Sequence, residues 1–460
     1  PGWTKLNTTA IGTFTGDGLY TRIANNTNQT MIAFAGGSAW TLGGTSTFTT
    51  IGSAQSVFTT GVRVGAAMQE DYMFFGNGGV IPYKWDGSVW SRHGVYPPTT
   101  TATVASQATG VITGDYNYKV TYLNTALVES DVSPVSATFT AASATIRVSA
   151  IPTAPQSFGI NARRLYRTIA GGTAFKRLTT ISDNTTTTYD DNTADGSLGA
   201  AAPTDNGVPP KYDTITYHAG RLWMNDPTNV NYLWYSELNQ PYTVATTNFI
   251  RIGDNASDIL KGIGVQDNSV VGVGSNSITV VYMNDTTPGN WKITVSKSPY
   301  GTKSPYAIAK YLNKLFFVAV QNNGLVGFAA FAGNTVEPST TLLSVMTAGS
   351  DMQSDKISTD IASIQSAYQG NISAIVFKEK LYIAVTYGSG NTTNNRIYVL
   401  DFSYDNLSKT NKQVWAPWTG INPAQFAIYS GDIYYISSTA TGFVYKLSAS
   451  TYADDGGAIN

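Results

Sequence analysis

Cysteine is absent from this 460-residue chain, which excludes disulfide staples and thiolate metal sites. Its absence also sets the chain apart from small eukaryotic secreted domains, which commonly carry disulfides. Charge is scarce: Asp, Glu, Lys and Arg make up 12% of residues, about half of the usual ~25%. The net charge is −1, so no basic surplus exists to hold nucleic acid by neutralising phosphates. No apolar run reaches the ~18 residues of a membrane-spanning helix. Histidine is limited to His93 and His218, and neither sits beside a nucleophile motif such as Gly-x-Ser-x-Gly. His218, in a strand leading into a hairpin, reads as an ordinary strand or turn histidine. The chain opens Pro1-Gly2-Trp3 with neither an initiator Met nor a charged-then-apolar segment. Upstream residues are therefore expected to have been removed or to lie outside this sequence.

Thr, Asn, Ser and Gly take the place of charge on the surface, while aromatics reach 12%. Disordered chains are poor in aromatics, so the composition is that of a packed protein. A low-charge surface rich in hydroxyls and amides suits rigid extracellular or virion β-proteins better than cytosolic enzymes.

One object recurs along the chain. It starts at Asn28, Asp71, Gly220, Asp267, Asn313, Glu379 and Gly431. Each copy is a polar turn, a β-rich run, a Gly/Asn/Ser/Thr turn and a second β-rich run, as in "GRLWMNDPTNVNYLWYSEL". Asn322-Asn323-Gly324 and Gly388-Ser389-Gly390 supply the positive φ of tight hairpins. A period of about 40–50 residues with four strands per unit is the signature of a β-propeller. The reading is an all-β chain with about seven blades, each covering its neighbours' faces. The gap between Asp71 and Gly220 exceeds one period by roughly 100 residues, the size of a small domain. Pro97-Pro98 and Pro209-Pro210 bracket it as rigid exits. Within it, Tyr116, Tyr118, Val120 and Tyr122 alternate, and six or seven short strands follow one another. That pattern reads as a fibronectin- or immunoglobulin-like β-sandwich. The expected division is 1–98 for the first blades, 99–206 for the sandwich and 207–460 for the remaining blades.

The long spacing after Asn313 holds "SDKISTDIASIQSAYQG", with Ile357, Ile361, Ile364 and Tyr368 at helical intervals. Ser354 or Asp355 would cap its start and Gly370 its end, which predicts one short amphipathic helix. Its apolar stripe is expected to rest on the propeller, with a subunit contact as the alternative.

Candidate chemistry is thin. Glycoside hydrolysis needs two carboxylates about 5–9.5 Å apart, and Asp71, Glu237, Asp254, Asp258, Glu379 and Asp401 are the candidates. They mostly flank hairpin turns, where acidic side chains commonly cap loops. The acidic clusters Tyr189–Ser197 and Asp254–Asp258 lack the order of a calcium loop and read as polar turns. Gly262–Ser277 resembles a phosphate loop, but "SITVVYM" continues as a strand where a helix N-terminus is required. A basic cluster, Arg163, Arg164, Arg167, Lys176 and Arg177, lies on the sandwich. Arg163 and Arg167 share one strand face and Arg164 the other. A solvated face is its ordinary role, and contact with an acidic neighbour or a nucleic acid strand the functional one. Trp415 and Trp418 in "VWAPWTG" suit blade packing, with sugar stacking as the other use.

The stretch from Arg221 to Asp285 resembles the propeller of tail nozzle or hub proteins of short-tailed bacteriophages, also called packaged-DNA stabilisation or tail tubular proteins. The resemblance rests on "RLWMNDPTNVNYLWYSELNQP" and "NFIRIGDNASDILKGIGVQDNSVVGVGSNSITVVYMND". Ser298–Asn334 continues it, and "RRLYRTIAGG" with "ISDNTTTTYDD" is similar to the fibronectin-like insert of many phage virion proteins. The resemblance implies a non-enzymatic virion protein of the phage tail, without cofactor or metal. It implies a ring of identical subunits, usually a hexamer, below the portal and its adaptor, docking fibres or a needle. Genomic DNA would pass through the lumen without sequence-specific contact, and no membrane span is implied. Arg163, Arg164, Arg167, Ile357, Ile361 and Ile364 are the candidate subunit contacts. A receptor- or glycan-binding tail protein and a secreted propeller glycosidase are the competing readings.

Overall fold

The computed structural model describes residues 2–51, 56–253, 258–297, 300–312, 314–321, 326–331, 358–402, 414–448, 453–454 and 457–458. The chain divides into two compact units. One comprises Pro1–Trp90, Pro210–Tyr235 and Phe249–Asn460, the other Ser91–Pro209 and Ser236–Asn248.

The first unit is built from seven four-stranded antiparallel sheets among the described residues. In chain order they open with Gly16–Ala24, Gly65–Gln69, Ile215–His218, Gly262–Gln266, Ile308–Tyr311, Ser373–Phe377 and Pro423–Tyr429. Each of these opening strands packs against that of the next sheet, and the strand from Pro423 packs back against the strand from Gly16. That closed circuit is the arrangement of a β-propeller. The seventh sheet is completed by the start of the chain: Gly2–Lys5 pairs antiparallel with Val444–Ser448, Trp3 opposite Leu447. The fifth sheet is irregular, since the two-residue strand Tyr300–Gly301 joins the far end of Lys314–Gln321.

The hairpin repeat read from sequence supplies the second and third strands of all seven sheets, for example Asn28–Ala35 with Ser38–Gly43 and Lys380–Val385 with Arg396–Asp401. Their apolar runs are nearly continuous because both faces are buried. Successive residues point to opposite faces. Met31 and Ala33 meet Tyr434 and Ile436 of the seventh sheet, while Ile32 and Phe34 meet Met73 and Phe75 of the second. Val270 joins Trp223 and Leu233, whereas Val271 joins Leu315 and Phe317. Leu381 and Ile383 pack on Phe316 and Val318, and Tyr382 and Ala384 on Phe426 and Tyr435. The second and third sheets approach most closely at glycines. A Cβ on Gly65 would stand 2.1 Å from the Asp213 carbonyl oxygen, and one on Gly76 2.3 Å from that of Tyr212.

Among the described residues the predicted helix is much shorter than its periodicity suggests. One α-turn, Ser358–Ile361, is followed by a 3₁₀ turn, Ser366–Asn371, that contains Gly370. Ile364 instead forms a β-bridge with Tyr387, and the Gln365 N–H donates to the Thr386 carbonyl. A single turn is costly to nucleate, and tertiary pairing outcompetes its extension. Asp360 also ties the turn down by accepting from Tyr387, Arg396 and Tyr398. Ser354, Asp355 and Ile357 lie outside the described residues, as does the Asn322-Asn323-Gly324 turn. Gly388 and Gly390 have φ of 79° and 83°, as their hairpin requires.

The second unit contains two three-stranded antiparallel sheets. One orders Thr103–Tyr116, Phe139–Ser149 and Tyr189–Asp191, the other Tyr118–Asn124, Ile160–Arg167 and Lys176–Ile181. An apolar cluster including Ile112, Tyr118, Val120, Ile146, Val148 and Leu165 fills it, beside a smaller one of Val95, Tyr122, Ala154 and Ile160. The unit is wider in sequence than the prolines suggest, and it includes Ser236–Asn248. That segment is held to it by His93 Nε2 at 2.7 Å from the Pro241 carbonyl and by the Val244 N–H donating to Gly207.

Strand Tyr118–Asn124 lies at a sheet edge, yet it is not bare. Ser130, Ser133 and Ser136 donate their N–H groups to the carbonyls of Tyr122, Val120 and Tyr118 at 2.9, 2.8 and 2.9 Å. Their hydroxyls accept the N–H groups of the same three residues at 3.0, 3.0 and 2.9 Å. Each hydroxyl in turn donates to the carbonyl of its following residue. The three-residue serine spacing of "SDVSPVS" thus satisfies the two-residue spacing of the strand, and every outward polar group of the edge is paired.

Candidate functional site

The opening strands converge, and the loops that lead into them carry charge. Asp17 and Arg63 precede or begin the first and second sheets, Asp213 the third and Lys261 the fourth. Two polar cavities lie among these elements. One of about 190 Å³ is bounded by Tyr20, Thr214, Thr216, Tyr306, Ser373 and Gln425. The other, about 140 Å³, is lined by Thr15, Asp17, Arg63, Asn371, Thr393 and Ser438.

Arg63 and Tyr306 mark the boundary between them, with the guanidinium 4.7 Å from the ring centroid. Arg63 Nη1 donates to the Ile372 carbonyl at a long 3.4 Å. Tyr20 donates to the Val64 carbonyl, and burial pushes its hydroxyl up to about 12. Burial likewise raises Tyr306 well above its usual value. Gln425 is buried with its Oε1 lacking a partner. Asp17 is 4% exposed and accepts the Gly61 N–H at 3.3 Å. Burial holds its carboxyl up to about 7, against the smaller opposing pull of the Gly61 amide and Arg63.

A stability prediction follows from Asp17. Its folded pKa lies above the unfolded value, so the stabilisation belongs to the protonated form. It is complete below about pH 4 and is lost as pH rises through about 7. Asp17→Asn is therefore expected to flatten this fall. Urea midpoints at pH 5 and pH 8 should differ less in the variant than in the parent, and an unchanged difference would refute the assignment.

The residues singled out from sequence lie elsewhere. Arg163 and Arg167 are buried inside the second unit, so neither is available as a subunit contact. Arg163 donates to the carbonyls of Pro152, Asp183 and Thr186 and to Asp183 Oδ1. Arg167 pairs with Asp191 at 2.6 Å and Asp195 at 2.7 Å. Those two carboxylates come from the Tyr189–Ser197 cluster, so guanidinium occupies the oxygens that sequence placed in a polar turn. Arg164 is partly exposed on the opposite face and pairs with Glu129. Ile361 and Ile364 are buried against Val318, Leu381 and Tyr398, which likewise removes them from any external contact.

Most of the acidic candidates are taken up by hydrogen bonds or ion pairs. Asp71 accepts the Asn25 N–H, Glu237 the Asn248 side chain, and Asp401 pairs with Lys380. Asp258 is buried, accepting from Ser275, the Asn276 amide and Ser277. Glu379 is an exposed turn residue with φ of 58°, and Asp254 lies outside the described residues. His218 has its Nε2 buried without a partner, and burial, then Lys310, lowers its pKa. Trp415 stacks on Phe328 at 5.0 Å and Trp418 meets Tyr382 edge-on at 5.8 Å, so both serve packing. Strand Ser277–Tyr282 follows Ser269–Val273 directly, as expected where a phosphate loop would need a helix.

Sequence reading passed over Asp17 and Arg63. The signal was a lone charge beside the small residues that open a sheet, Gly16 and Gly18 around Asp17 and Gly61 and Gly65 around Arg63.

No family model and no curated protein matches the chain. Among solved structures it is similar to YCF48 from Cyanidioschyzon merolae at 9% identity and a TM-score of 0.45, covering 98% of this chain and 100% of that one. BamB from Moraxella catarrhalis matches at 10% identity and a TM-score of 0.43, covering 98% and 99%. The WD40 β-propeller domain of Doa1 matches at 8% identity and a TM-score of 0.38, covering 97% of each chain. The cyclic order of the sheets, rather than these likenesses, is what identifies the architecture.

Proposed function

We propose that this chain is a non-enzymatic structural subunit of a short-tailed phage tail, a nozzle or hub protein that assembles with identical copies into a ring. In this reading the seven sheets are seven blades, and the second unit is a fibronectin-like sandwich inserted between the second and third. The observation that carries the proposal is the closed circuit of sheets, latched by the chain's own first strand. It makes a stiff body that can be tiled without remodelling. The low charge of the chain supports the same role, because association buries few ions that would have to be desolvated. The likeness of Arg221–Asp285 and Ser298–Asn334 to phage hub propellers points the same way.

A cyclic ring needs two different complementary patches on each copy. The two polar cavities are far too small for a duplex whose major groove alone is about 12 Å wide. Genomic DNA would therefore run down the centre of the ring of copies. Portal or adaptor proteins and fibres or a needle would dock on the ring. Electron microscopy of virions labelled with antibody to this chain tests the proposal. Label at the tail, in a ring of about six copies, is the expected result. Label on the capsid, or none on intact particles, would overturn it.

A further inference from the structure

We propose that the 140 Å³ cavity binds the carboxylate of a small hydroxylated acid, gripped by Arg63 and backed by Asp17. This goes beyond the ring assignment and does not depend on it.

The first ground is an unsaturated guanidinium. Arg163, Arg167 and Arg396 all spend their N–H groups on carboxylates and carbonyls of their own unit. Arg63 has one long contact, to Ile372, and a ring face beneath it. Its remaining N–H groups meet no acceptor among the described residues, although it lines the cavity. Arg63 is partly exposed where it lines the cavity, and the planar fork of a guanidinium matches a carboxylate bidentately.

The second ground is the chemistry opposite. Asp17 is buried and, among the described residues, receives one side-chain hydrogen bond, from the Gly61 amide, and no direct ion pair. Burial holds its carboxyl up to about 7. A carboxyl and a carboxylate at one site share a single proton. Asp17 can therefore supply one hydrogen bond to a bound monoanion, whereas a dianionic phosphate would leave a second charge facing it. Thr15, Thr393 and Ser438 bring hydroxyl-bearing side chains to the wall, which suits a ligand with its own hydroxyls. Next door, the unpartnered Oε1 of Gln425 is a further acceptor without a donor.

Binding should then take up a proton. The titratable groups around the pair are Tyr20 and Tyr306, both held neutral by raised pKa values, and Asp213, raised by burial and facing Asn225 and Lys261. Titration between pH 6 and pH 8 thus falls to Asp17.

The full chain is titrated calorimetrically with sodium glucuronate, acetate, phosphate and glucose at pH 6 and pH 8. Glucuronate is expected to bind more tightly than acetate at pH 6 and to weaken by about tenfold per pH unit above 7. Phosphate should bind less well than either, and glucose should not bind. Arg63→Gln should abolish glucuronate binding, Arg63→Lys retain part of it, and Asp17→Asn remove the pH dependence. The proposal fails if neither carboxylate binds the parent chain at pH 6, if phosphate outcompetes both, or if Arg63→Gln binds as well as the parent. The pH comparison on the parent chain decides the matter even where a variant does not fold, and it is independent of where the chain sits in a particle.

Discussion

Replacing Arg167 with Met is expected to remove about 3–5 kcal/mol from the second unit, the range for breaking one side of a buried ion pair. Arg167 and Asp191 are both 0% exposed at the side chain. Tyr118 also donates to Asp191 at 2.8 Å, and Arg167 lies 4.8 Å from the Tyr116 ring centroid. Removing the guanidinium leaves a buried anion with only the Tyr118 hydroxyl and the Thr193 N–H to answer it. The measurement is hydrogen exchange of Tyr118–Asn124 amides with urea unfolding of the same sample. Arg167→Met combined with Asp191→Leu should recover most of the loss, since well-packed apolar replacements of such pairs are often neutral. A single variant within 1 kcal/mol of the parent would show that the pair does not hold the sheets together.

The second large effect belongs to the latch. Trp3 is 2% exposed and meets Tyr435 edge-on at 4.8 Å, within a cluster that includes Ile397, Phe426 and Ile433. Trp3→Ala should destabilise the first unit by about 3–5 kcal/mol, as expected for a fully buried large aromatic. Deleting residues 1–5 should do more than weaken the fold. It leaves the outer edge of Val444–Ser448 unpaired, and an open strand edge recruits other chains. Thermal unfolding checks the first outcome. Sedimentation at rising concentration checks the second, where a monomer unchanged across the series would rule out a closing role for the strand.

Much of this architecture was legible because hairpins are local. Each pairs residues close in sequence, and apolar run, turn and apolar run suffice to mark them. The helix failed for the opposite reason. Ile361, Ile364 and Tyr368 keep a helical interval, but Ile364 finds a partner in Tyr387, and no window around the isoleucines contains that residue. The arginines of the second unit misled in the same way. Their clustering read as a surface, while the carboxylates that bury Arg167 lie 24 and 28 residues onward. The Asp17–Arg63 pair was harder still, since the two belong to different sheets and become neighbours only when the first and second sheets pack.

The serine-paired edge has a consequence for life at high density. Main-chain groups are common to every protein, so an unpaired strand sticks to its own kind without regard to shape. Once Ser130, Ser133 and Ser136 take up those groups on Tyr118, Val120 and Tyr122, this flank can adhere to a neighbour only through side chains. Crowded copies then choose contacts by fit instead of fusing by default, and the specificity of any assembly becomes adjustable one substitution at a time.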